Sequence, residues 1–291
     1  MSRLAPTADH GRLVVRCADQ PGIIAAVSRF LFEQGANIVH SDQHTTDPEG
    51  GRFFLRVEFD LPRLADRIDH LRRAFDPTAD AWGMEARFVA ATQLPRIGVL
   101  VSREEHCLLE LLWQRRAGDL RAEIPVVIGN HPEIGEAAAA WGIPFHCVPL
   151  EPATKARAEA EQERLLREAD VDLVVLARYM QIVSPAFVAH WQNRAINIHH
   201  SFLPAFAGAR PFAQAHARGV KLIGATAHYV TADLDAGPII EQDVRRVDHR
   251  DTAADLRRIS RQIERAVLAR AVAWHVEDRV IVDGNRTIVF A

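Results

Sequence analysis

The sequence predicts an α/β protein with two domains, a small βαββαβ unit and a larger domain of alternating strands and helices. The length of 291 residues exceeds that of one ordinary domain. The order of the predicted elements also changes after residues 91–96, which we interpret as a linker. Hydrophobic residues at 48% and charged residues at 25% are typical of a globular protein with a large core. We therefore expect domains at residues 10–90 and 95–291.

The composition excludes several classes of function. A formal net charge of -3 at pH 7, with arginines and acids alternating throughout, gives no basic patch for nucleic acid or an anionic membrane. The apolar runs are too short to cross a bilayer, and no signal peptide is evident. Cys17, Cys107 and Cys147 are far apart and typical of reduced thiols. We expect a soluble cytoplasmic protein that binds neither nucleic acid nor membranes.

The first domain is predicted from its periodicity. Apolar residues alternate with period two in the strand segments and recur at helical spacing after Gly22. Gly35 is a good residue for ending the first helix, and Pro62 is tolerated in the first turn of the second. The predicted elements are strand 12–17, helix 23–34, strand 37–46, strand 52–59, helix 62–75 and strand 84–89. This order predicts a ferredoxin-like fold.

A turn motif in this domain resembles the ACT domain family, regulatory modules that bind amino acids. The motif is Asp19-Gln-Pro-Gly22-Ile-Ile-Ala followed by Gly35-Ala-Asn37-Ile, and the resemblance covers residues 10–90. It implies an amino-acid effector, with glycine and methionine as candidates, held by Asp19, Gly22 and Asn37. Gly22 would let backbone N–H groups approach the effector carboxylate. The alternative is a tight turn in a module that serves only dimerisation, and free sheet edges favour a homo-oligomer.

In the second domain, strands alternate with helices, which predicts a Rossmann-like α/β core with a parallel sheet. Leu173-Val-Val-Leu-Ala177 is continuously apolar, as a strand covered on both faces requires. Ser102 and Glu105 form the pattern of a capping box. The predicted strands are 97–101, 125–128, 145–148, 172–176, 195–198, 222–230 and 239–244, and the helices are 103–116, 133–141, 154–169, 184–192, 209–218 and 252–275. Residues 280–290 are predicted to form a hairpin.

Several common catalytic motifs are missing from the sequence. The loop after the first strand of the second domain, Ser102-Arg-Glu-Glu105, lacks the glycines that cradle phosphates. No G-x-S-x-G element supplies a serine nucleophile. The histidines do not match zinc spacings, and the adjacent His199 and His200 would point to opposite faces of a strand. We therefore predict no metal site.

One constellation remains, formed by Asn197 and His199 in one strand and by Asp235 in the later segment Leu234-Asp-Ala-Gly-Pro238. Positions 197 and 199 project to the same face of a strand. They also lie near its carboxyl end, where open α/β sheets bind ligands. An amide and an imidazole stabilise an oxyanion, and a carboxylate orients or deprotonates a nucleophile. The constellation therefore predicts acyl chemistry, the alternative being that each residue only satisfies local backbone groups.

These segments resemble the formyltransferase fold family, which uses 10-formyltetrahydrofolate. The resemblance rests on Ile196-Asn-Ile-His-x-Ser-x-Leu-Pro204 and Leu234-Asp-x-Gly-Pro-Ile239, and it extends over residues 95–275. It implies that Asn197 and His199 polarise the formyl oxygen and that Asp235 is a general base or orienting carboxylate. It also implies a folate pocket at Arg178, Met180 and Ile182, in a loop whose backbone reads the pterin edge. Met180 and Ile182 would be its apolar walls, the alternative being ordinary core packing.

The formyl acceptor distinguishes the members of this family. The acids of the loop at Ser102 would repel a phosphorylated acceptor. The fusion to the ACT-like unit, with Ser102-x-x-x-His-Cys-Leu108 and His199-His-Ser-Phe-Leu-Pro-Ala-Phe206, closely resembles the formyltetrahydrofolate deformylases. This implies that water converts 10-formyltetrahydrofolate to formate and tetrahydrofolate, supplying formate for one-carbon and purine metabolism. No cofactor is implied, because tetrahydrofolate is the substrate carrier. Formyl transfer to an amine, or an amino-acid sensor without turnover, stays open as an alternative.

Three residues depart from this family's pattern. Ala207, Phe212 and Ala213 stand where larger or polar residues such as Lys, Tyr and His are common. They flank the predicted active-site loop. The departures therefore concern the approach of substrate and not the central residues Asn197, His199 and Asp235.

Overall fold

The computed structural model describes residues 8–47, 49–204 and 211–291. The chain divides into two compact units. The first comprises residues up to Leu94 with Asp278–Ile281 and Ile288–Ala291, and the second comprises Pro95–Glu277 and Val282–Thr287. The division falls inside the segment 91–96. The outer parts of the C-terminal hairpin, which the sequence had placed in the domain of residues 95–291, belong to the first unit.

The first unit has the predicted βαββαβ order. Its four strands form an antiparallel sheet in the order β2-β3-β1-β4. The second helix is longer than the predicted segment 62–75 because Ala79 and Trp82 also pack against the core. The elements are β1 (His10–Ala18), α1 (Ile23–Glu33), β2 (Asn37–Thr45), β3 (Arg52–Asp60), α2 (Leu64–Trp82) and β4 (Glu85–Ala90).

The core of the first unit lies between the sheet and its two helices. Phe30 of α1 and Phe75 of α2 make an edge-to-face contact with ring centroids 4.8 Å apart, and Phe88 of β4 lies 5.5 Å from Phe75. Edge-to-face pairs are a favoured arrangement of buried rings. The opposite face of the sheet is also covered, since Phe54 of β3 packs with Ile281 and Phe290 from the C-terminal end. Both faces of β3 are therefore buried.

The second unit is an α/β domain around a seven-stranded sheet. Its elements are β5 (Arg96–Val101), α3 (His106–Ala117), β6 (Glu123–Gly129), α4 (Ile134–Ala139), β7 (Phe145–Cys147), a 3₁₀ turn (Pro152–Thr154), α5 (Lys155–Glu168), β8 (Leu173–Leu176), α6 (Pro185–His190), β9 (Ala195–His199), α7 (Pro211–Ala217), β10 (Leu222–Tyr229), β11 (Ile239–Arg246) and α8 (Ala253–Val276). A short hairpin, β12 (Val280–Asp283) and β13 (Arg286–Val289), follows.

The strand order of this sheet is β11-β10-β9-β8-β5-β6-β7. Pairing is parallel from β9 to β7, whereas β10 is antiparallel to both β9 and β11. β6 and β7 lie on one side of β5, whereas β8 and β9 lie on its other side. The strand order therefore reverses between β5 and β8. Ligands of open α/β sheets bind at the carboxyl ends of strands at such a reversal. Asn197 and His199 lie in the last part of β9, and the predicted folate residues follow β8, at this edge.

Two sequence predictions for the second unit are wrong in detail. The parallel sheet is mixed, because β10 runs antiparallel. Ser102 does not cap α3. The helix begins at His106, and its cap residue Glu105 makes no side-chain capping hydrogen bond among the described residues. The Ser102 hydroxyl instead accepts a hydrogen bond from the backbone N–H of Met180 at 3.0 Å.

No helix in the described parts of the chain combines the length and apolar character needed to span a membrane.

Candidate active site

Asn197 and His199 occupy the last part of β9, with parallel β8 on one side and antiparallel β10 on the other. Ile196 and Ile198 alternate with them and are buried. Side chains alternate between the two faces of a strand, so this burial sends the amide and the imidazole to one common face. Hydrophobic packing of β9 therefore sets the direction of both polar groups.

The chain leaving β9 is held by Thr226, a buried residue of β10 that lies opposite His199. The Thr226 hydroxyl donates to the Ser201 carbonyl at 3.0 Å and accepts from the Leu203 N–H at 3.1 Å. Gln242 of β11 donates to the same hydroxyl at 2.9 Å. The turn after His199 is thus anchored to the sheet, which limits movement of the imidazole.

Asp235 lies in the loop between β10 and β11 and has a φ of 55°, in the left-handed region. The loop is closed by a hydrogen bond from the Tyr229 N–H to the Pro238 carbonyl at 2.9 Å. A Cβ at Gly237 would lie 1.8 Å from the Tyr229 carbonyl oxygen, so only glycine permits this close approach. The Leu234–Ile239 motif is therefore needed for the fold of the loop as well as for its carboxylate.

This loop brings Asp235 to His199. Asp235 Oδ2 lies 3.2 Å from His199 Nδ1, and the carboxylate is about three-quarters covered, with 24% of the side chain exposed. The hydrogen bond from His199 holds the pKa of Asp235 well below its usual range against the opposing effect of burial. Because a carboxylate only accepts, Nδ1 of His199 donates and Nε2 is left for a substrate.

His228 is a site residue that the sequence predictions missed. It is buried on β10 directly opposite Asn197. Its Nδ1 lies 2.9 Å from the Tyr229 carbonyl oxygen, and its Nε2 lies 3.2 Å from Asn197 Nδ2 and 3.6 Å from Asp235 Oδ1. The available signal was a single histidine, two residues after Thr226, in a strand of mostly apolar residues. Its meaning depends on the β9–β10 register, which the sequence alone does not give.

The contacts of His228 fix the orientation of the Asn197 amide. A carbonyl only accepts, so Nδ1 of His228 carries the proton that it shares with Tyr229. Nε2 can then accept from the Asn197 NH₂ group at 3.2 Å. The amide nitrogen has two N–H donors, and His228 uses one of them. The second N–H stays available for a substrate oxygen.

His199 Nε2 is buried and has no hydrogen-bond partner among the described residues. The His200 ring stacks on His199 with centroids 5.0 Å apart. Burial, followed by the charge of Arg178, lowers the pKa of His200 to about 4, so His200 is neutral at pH 7. A neutral ring can stack on His199 without adding a second positive charge to the site. Buried polar groups are nearly always hydrogen-bonded, so this unpaired nitrogen needs an explanation, and a catalytic role is one.

The predicted folate residues follow β8. Met180 and Ile182 are 58% and 62% exposed, which is unusual for large apolar side chains at the carboxyl edge of a sheet. The Arg178 side chain has different surroundings. Its guanidinium is buried and lies 3.4 Å from both Glu264 and Glu104. Its side chain therefore makes ion-pair contacts within the protein, with Nε and Nη1 lacking hydrogen-bond partners among the described residues, while the two apolar residues are open to a ligand.

The three residues that depart from the family pattern differ in where they lie. The Phe212 ring lies 5.8 Å from that of His200, so this residue does border the site. Ala213 is exposed on α7. Ala207 lies outside the described residues.

One cluster has metal-ligand chemistry. His106, Cys107 and Glu264 each place one suitable atom within 4.8 Å of the others. However, Arg178 already lies 3.4 Å from Glu264 and supplies positive charge there. Burial first, and then Glu264, raises the pKa of the Cys107 thiol well above its ordinary value, so the thiol keeps its proton. The cluster fits an ion-pair network better than a metal centre, and the absence of a metal requirement stays a prediction.

The predicted effector residues do not meet within one copy of the first unit. The Asp19 carboxylate accepts from Thr45, at the end of β2, whereas Asn37 begins β2 and lies opposite Asp60. A strand of this length separates them by roughly 25 Å. Gly22 precedes α1 with a φ of 100°, and a Cβ there would lie 2.8 Å from the Trp82 ring. Sequence reasoning did not include Trp82.

Comparison with known proteins agrees with this arrangement. Residues 95–272 match the formyl transferase family, and residues 11–76 match the ACT domain family. A formyltetrahydrofolate deformylase of Bacillus subtilis is 58% identical over 282 residues, covering 97% of this chain and 94% of that protein. The crystal structure of a formyltetrahydrofolate deformylase from Pseudomonas syringae covers 97% of this chain and 94% of its own, with a TM-score of 0.93 and 45% identity.

A glycinamide ribonucleotide transformylase from Symbiobacterium toebii matches less of the chain. It covers 70% of this chain and 97% of its own, at 34% identity and a TM-score of 0.65. The fold and site thus define a formyltransferase-fold enzyme that carries an ACT domain. With relatives at this identity over nearly its full length, the chain belongs to the formyltetrahydrofolate deformylase family. The family and the two-part fold predicted from the sequence are confirmed.

Proposed function

We propose that the protein hydrolyses 10-formyltetrahydrofolate to formate and tetrahydrofolate, the substrate that its relatives' names state. The observation that carries the proposal is the contact of Asp235 with His199 beside Asn197, at the ligand-binding edge of the sheet. The oxygen of water adds to the formyl carbon and the bond from that carbon to N10 breaks. One proton of the water goes to N10, and the other is released when formate leaves as an anion. No cofactor is needed, because tetrahydrofolate carries the formyl group.

Asn197 and His199 supply the donors for the tetrahedral intermediate. The free N–H of the Asn197 amide and, in the imidazolium form, the Nε2–H of His199 donate to the formyl oxygen, where negative charge develops as water adds. Loss of one such donor typically costs about 3 kcal/mol, or roughly a hundredfold or more in rate. Both donors are fixed before substrate binds, Asn197 by His228 and His199 by Asp235. This preorganisation supports the proposed role.

Asp235 acts mainly by orienting water and by stabilising positive charge on His199. A general base works best when its pKa lies near the working pH. The hydrogen bond from His199 instead holds the pKa of Asp235 well below its usual range, which makes it a weak base. Its carboxylate still accepts a hydrogen bond from the attacking water and draws that water to the formyl carbon. Of the two roles predicted for Asp235, orientation is the better supported.

The apolar loop after β8 provides a place for the pterin. Met180 and Ile182 present exposed apolar surface next to the strand that carries Asn197, since β8 and β9 are neighbours. A flat heteroaromatic ring would cover that surface and gain hydrophobic stabilisation. Transfer to an amine is not favoured, because the relatives that match nearly the whole chain are named deformylases.

The direct test is formate release from 10-formyltetrahydrofolate by the purified protein. We expect formate and tetrahydrofolate to form in equal amounts, and the Asp235→Ala variant to be nearly inactive. Absence of formate with folded wild-type protein, or full activity of Asp235→Ala, would contradict the proposal.

The formate would supply one-carbon and purine metabolism in the cytoplasm, where buried free thiols such as Cys17 and Cys107 are typical.

Replacing Gly237 with alanine should disrupt the Asp235 loop. The new Cβ would collide with the backbone of Tyr229, so the loop must move by more than an ångström. A displacement of that size costs about a hundredfold in kcat. Steady-state formate release checks the loss. Gly219→Ala, at a glycine with a φ of 62° and nothing within 4 Å, is the control for backbone strain without a steric collision. Wild-type kcat in Gly237→Ala would show that the loop does not depend on this close approach.

Replacing His228 with alanine should lower kcat by about a hundredfold, because Asn197 loses the partner that orients its amide. The substrate KM should change little, since His228 is not on the apolar loop. Steady-state kinetics measure both constants. A kcat within threefold of wild type would show that His228 has only a packing role.

We further propose that the ACT unit binds glycine or methionine and that it does so as a homo-oligomer. β2 is the outer strand of its sheet, and Ile38 and Val39 are 38% and 46% exposed. Antiparallel pairing of two β2 strands about a two-fold axis brings the start of one strand beside the end of the other. Asn37 of the second copy would then approach Asp19 and Gly22 of the first. This reunites the three predicted effector residues.

Calorimetry and sedimentation test this arrangement together. We expect glycine or methionine to bind the wild-type oligomer, and a Val39→Lys variant to be monomeric and to lose that binding. Wild-type effector affinity in a monomeric variant would place the site within one copy. Absence of binding for both amino acids would contradict the regulatory proposal.

A further inference from the structure

Glu264 of α8 is a buried carboxylate that the proposed reaction does not use. Its side chain is 1% exposed. Oε1 accepts from the Ser260 hydroxyl at 2.6 Å, and Oε2 accepts from His106 Nε2 at 2.9 Å. Arg178 Nε lies 3.4 Å from Oε2, so the carboxylate joins α8, the start of α3 and the segment after β8. Glu104 Oε1 lies 3.4 Å from Nη2 of the same guanidinium.

Arg178 has an unusual backbone for a residue with a long side chain. Its φ is 61°, in the left-handed region that disfavours residues other than glycine. Such a conformation persists only where the surroundings determine it. The Arg178 carbonyl accepts from the Ser102 N–H at 3.3 Å, and Ser102 accepts in turn from the Met180 N–H. The guanidinium pair with Glu264 supplies the third fixed point.

The next residues of the segment are held as well. The Tyr179 hydroxyl accepts from Gln162 of α5 at 2.8 Å within the core. The Ser184 N–H donates to Glu159 of α5 at 2.9 Å. Between these anchors, Met180 and Ile182 remain more than half exposed. Two apolar side chains on a backbone fixed at both ends form a platform that is prepared before its ligand arrives.

The charge of Glu264 is retained despite its burial. Burial, the largest single effect, raises its pKa, but the hydrogen bond from His106 and the charge of Arg178 outweigh it and lower the pKa to about 2. A buried ion pair adds little net stability, because desolvation opposes the attraction. Such pairs are better suited to fixing one geometry. The same ion pair links the strained Arg178 to the rigid helix α8.

We propose that Glu264 is a positioning residue for the folate-binding segment 178–182. Through Arg178 it holds the backbone so that Met180 and Ile182 present one apolar surface to the pterin. This inference rests on the proposed function, because it names the ligand of the same pocket. It assigns Arg178 to the support of the pocket rather than to contact with folate. The expected effect is on folate affinity, since Asn197, His199 and Asp235 are held by other elements.

The experiment compares Glu264→Gln, Arg178→Met and the double variant with wild type. KM and kcat come from formate release, and the Kd for tetrahydrofolate comes from calorimetry. We expect KM and Kd to rise roughly tenfold or more in all three variants, with kcat within about threefold. Each single variant removes one partner of a buried ion pair and should lower Tm, whereas the double variant removes both charges and should recover much of it. If the double variant recovers Tm but keeps a raised Kd, the effect on folate binding is one of positioning and not of stability.

Glu110→Gln is the matched control. Glu110 of α3 lies 3.4 Å from Arg265 of α8, so this change removes another ion pair between the same helices without touching Arg178. Its Kd should equal that of wild type. If the single variants do not fold, the double variant and the milder Ser260→Ala, for which we expect a smaller rise in Kd, still decide the question.

A folded double variant with wild-type KM and Kd would overturn the inference. A lower Tm without any change in Kd would show a structural role only. Failure of the proposed function is distinguishable, because it would appear as wild-type protein that releases no formate, while the Kd comparison still reports on the segment. Wild-type protein that binds no tetrahydrofolate would overturn both.

Discussion

Replacing Asp235 with asparagine is expected to lower kcat for formate release by about a thousandfold or more. Asparagine keeps the shape of the side chain but removes the charge that faces His199 at 3.2 Å and His228 at 3.6 Å. Positive charge on His199 then loses its stabilising partner, and the attacking water loses its acceptor. Steady-state kinetics with a thermal unfolding curve measure the loss and show that the variant is folded.

Asp233→Asn is the matched control for this change. Asp233 lies in the same loop, and its side chain is exposed. Its kcat should be that of wild type. A kcat of Asp235→Asn within tenfold of wild type would contradict the assignment of Asp235 to the reaction.

The same variant should alter the pH dependence of stability. The pKa of Asp235 is lower in the folded protein than its ordinary value, so its charge stabilises the fold above the unfolded pKa of about 3.9. That contribution is lost as pH falls through the lower folded pKa. The Tm difference between wild type and Asp235→Asn should therefore shrink as pH falls below about 4. A difference that grows below about pH 4 would contradict the sign of the shift.

Replacing His199 with glutamine should have the second largest effect, a fall in kcat of about a thousandfold. The substitution removes the Nε2 donor for the formyl oxygen and the charge that Asp235 supports. KM should change far less, because the apolar surface of Met180 and Ile182 is unaffected. Steady-state kinetics separate the two constants.

His146→Gln is the control for His199→Gln. His146 is exposed on β7, at the opposite edge of the same sheet. It should retain full activity. The donor role would be contradicted if kcat of His199→Gln were within tenfold of wild type. It would also be contradicted if kcat/KM fell only because KM rose.

Much of the fold follows from local patterns in the sequence. The alternation of Phe53, Leu55, Val57 and Phe59 predicted β3, and the continuous run Leu173–Leu176 predicted a strand that is covered on both faces. The shared face of Asn197 and His199 needed only the period of a strand. These features depend on neighbouring residues, which is why the sequence was enough to predict them.

Features that depend on strand direction or on distant partners were missed. The role of His228 requires β10 to run antiparallel beside β9, and a sheet of alternating strands and helices favours parallel pairing. Ser102 and Glu105 have the spacing of a capping box, but the hydroxyl is used by Met180 in tertiary structure. Arg178 lies in a segment that resembles a folate loop, and its burial depends on Glu264, which is distant in the chain.

The central claim is that water, and not an amine, accepts the formyl group. The most direct test measures all formyl products from 10-formyltetrahydrofolate in the presence of a large excess of a small amine such as glycinamide. We predict that formate accounts for all of the formyl group lost, at the same rate with and without the amine, and that Asp235→Asn abolishes its release. Formylated amine as the main product, formed faster than formate, would contradict the account.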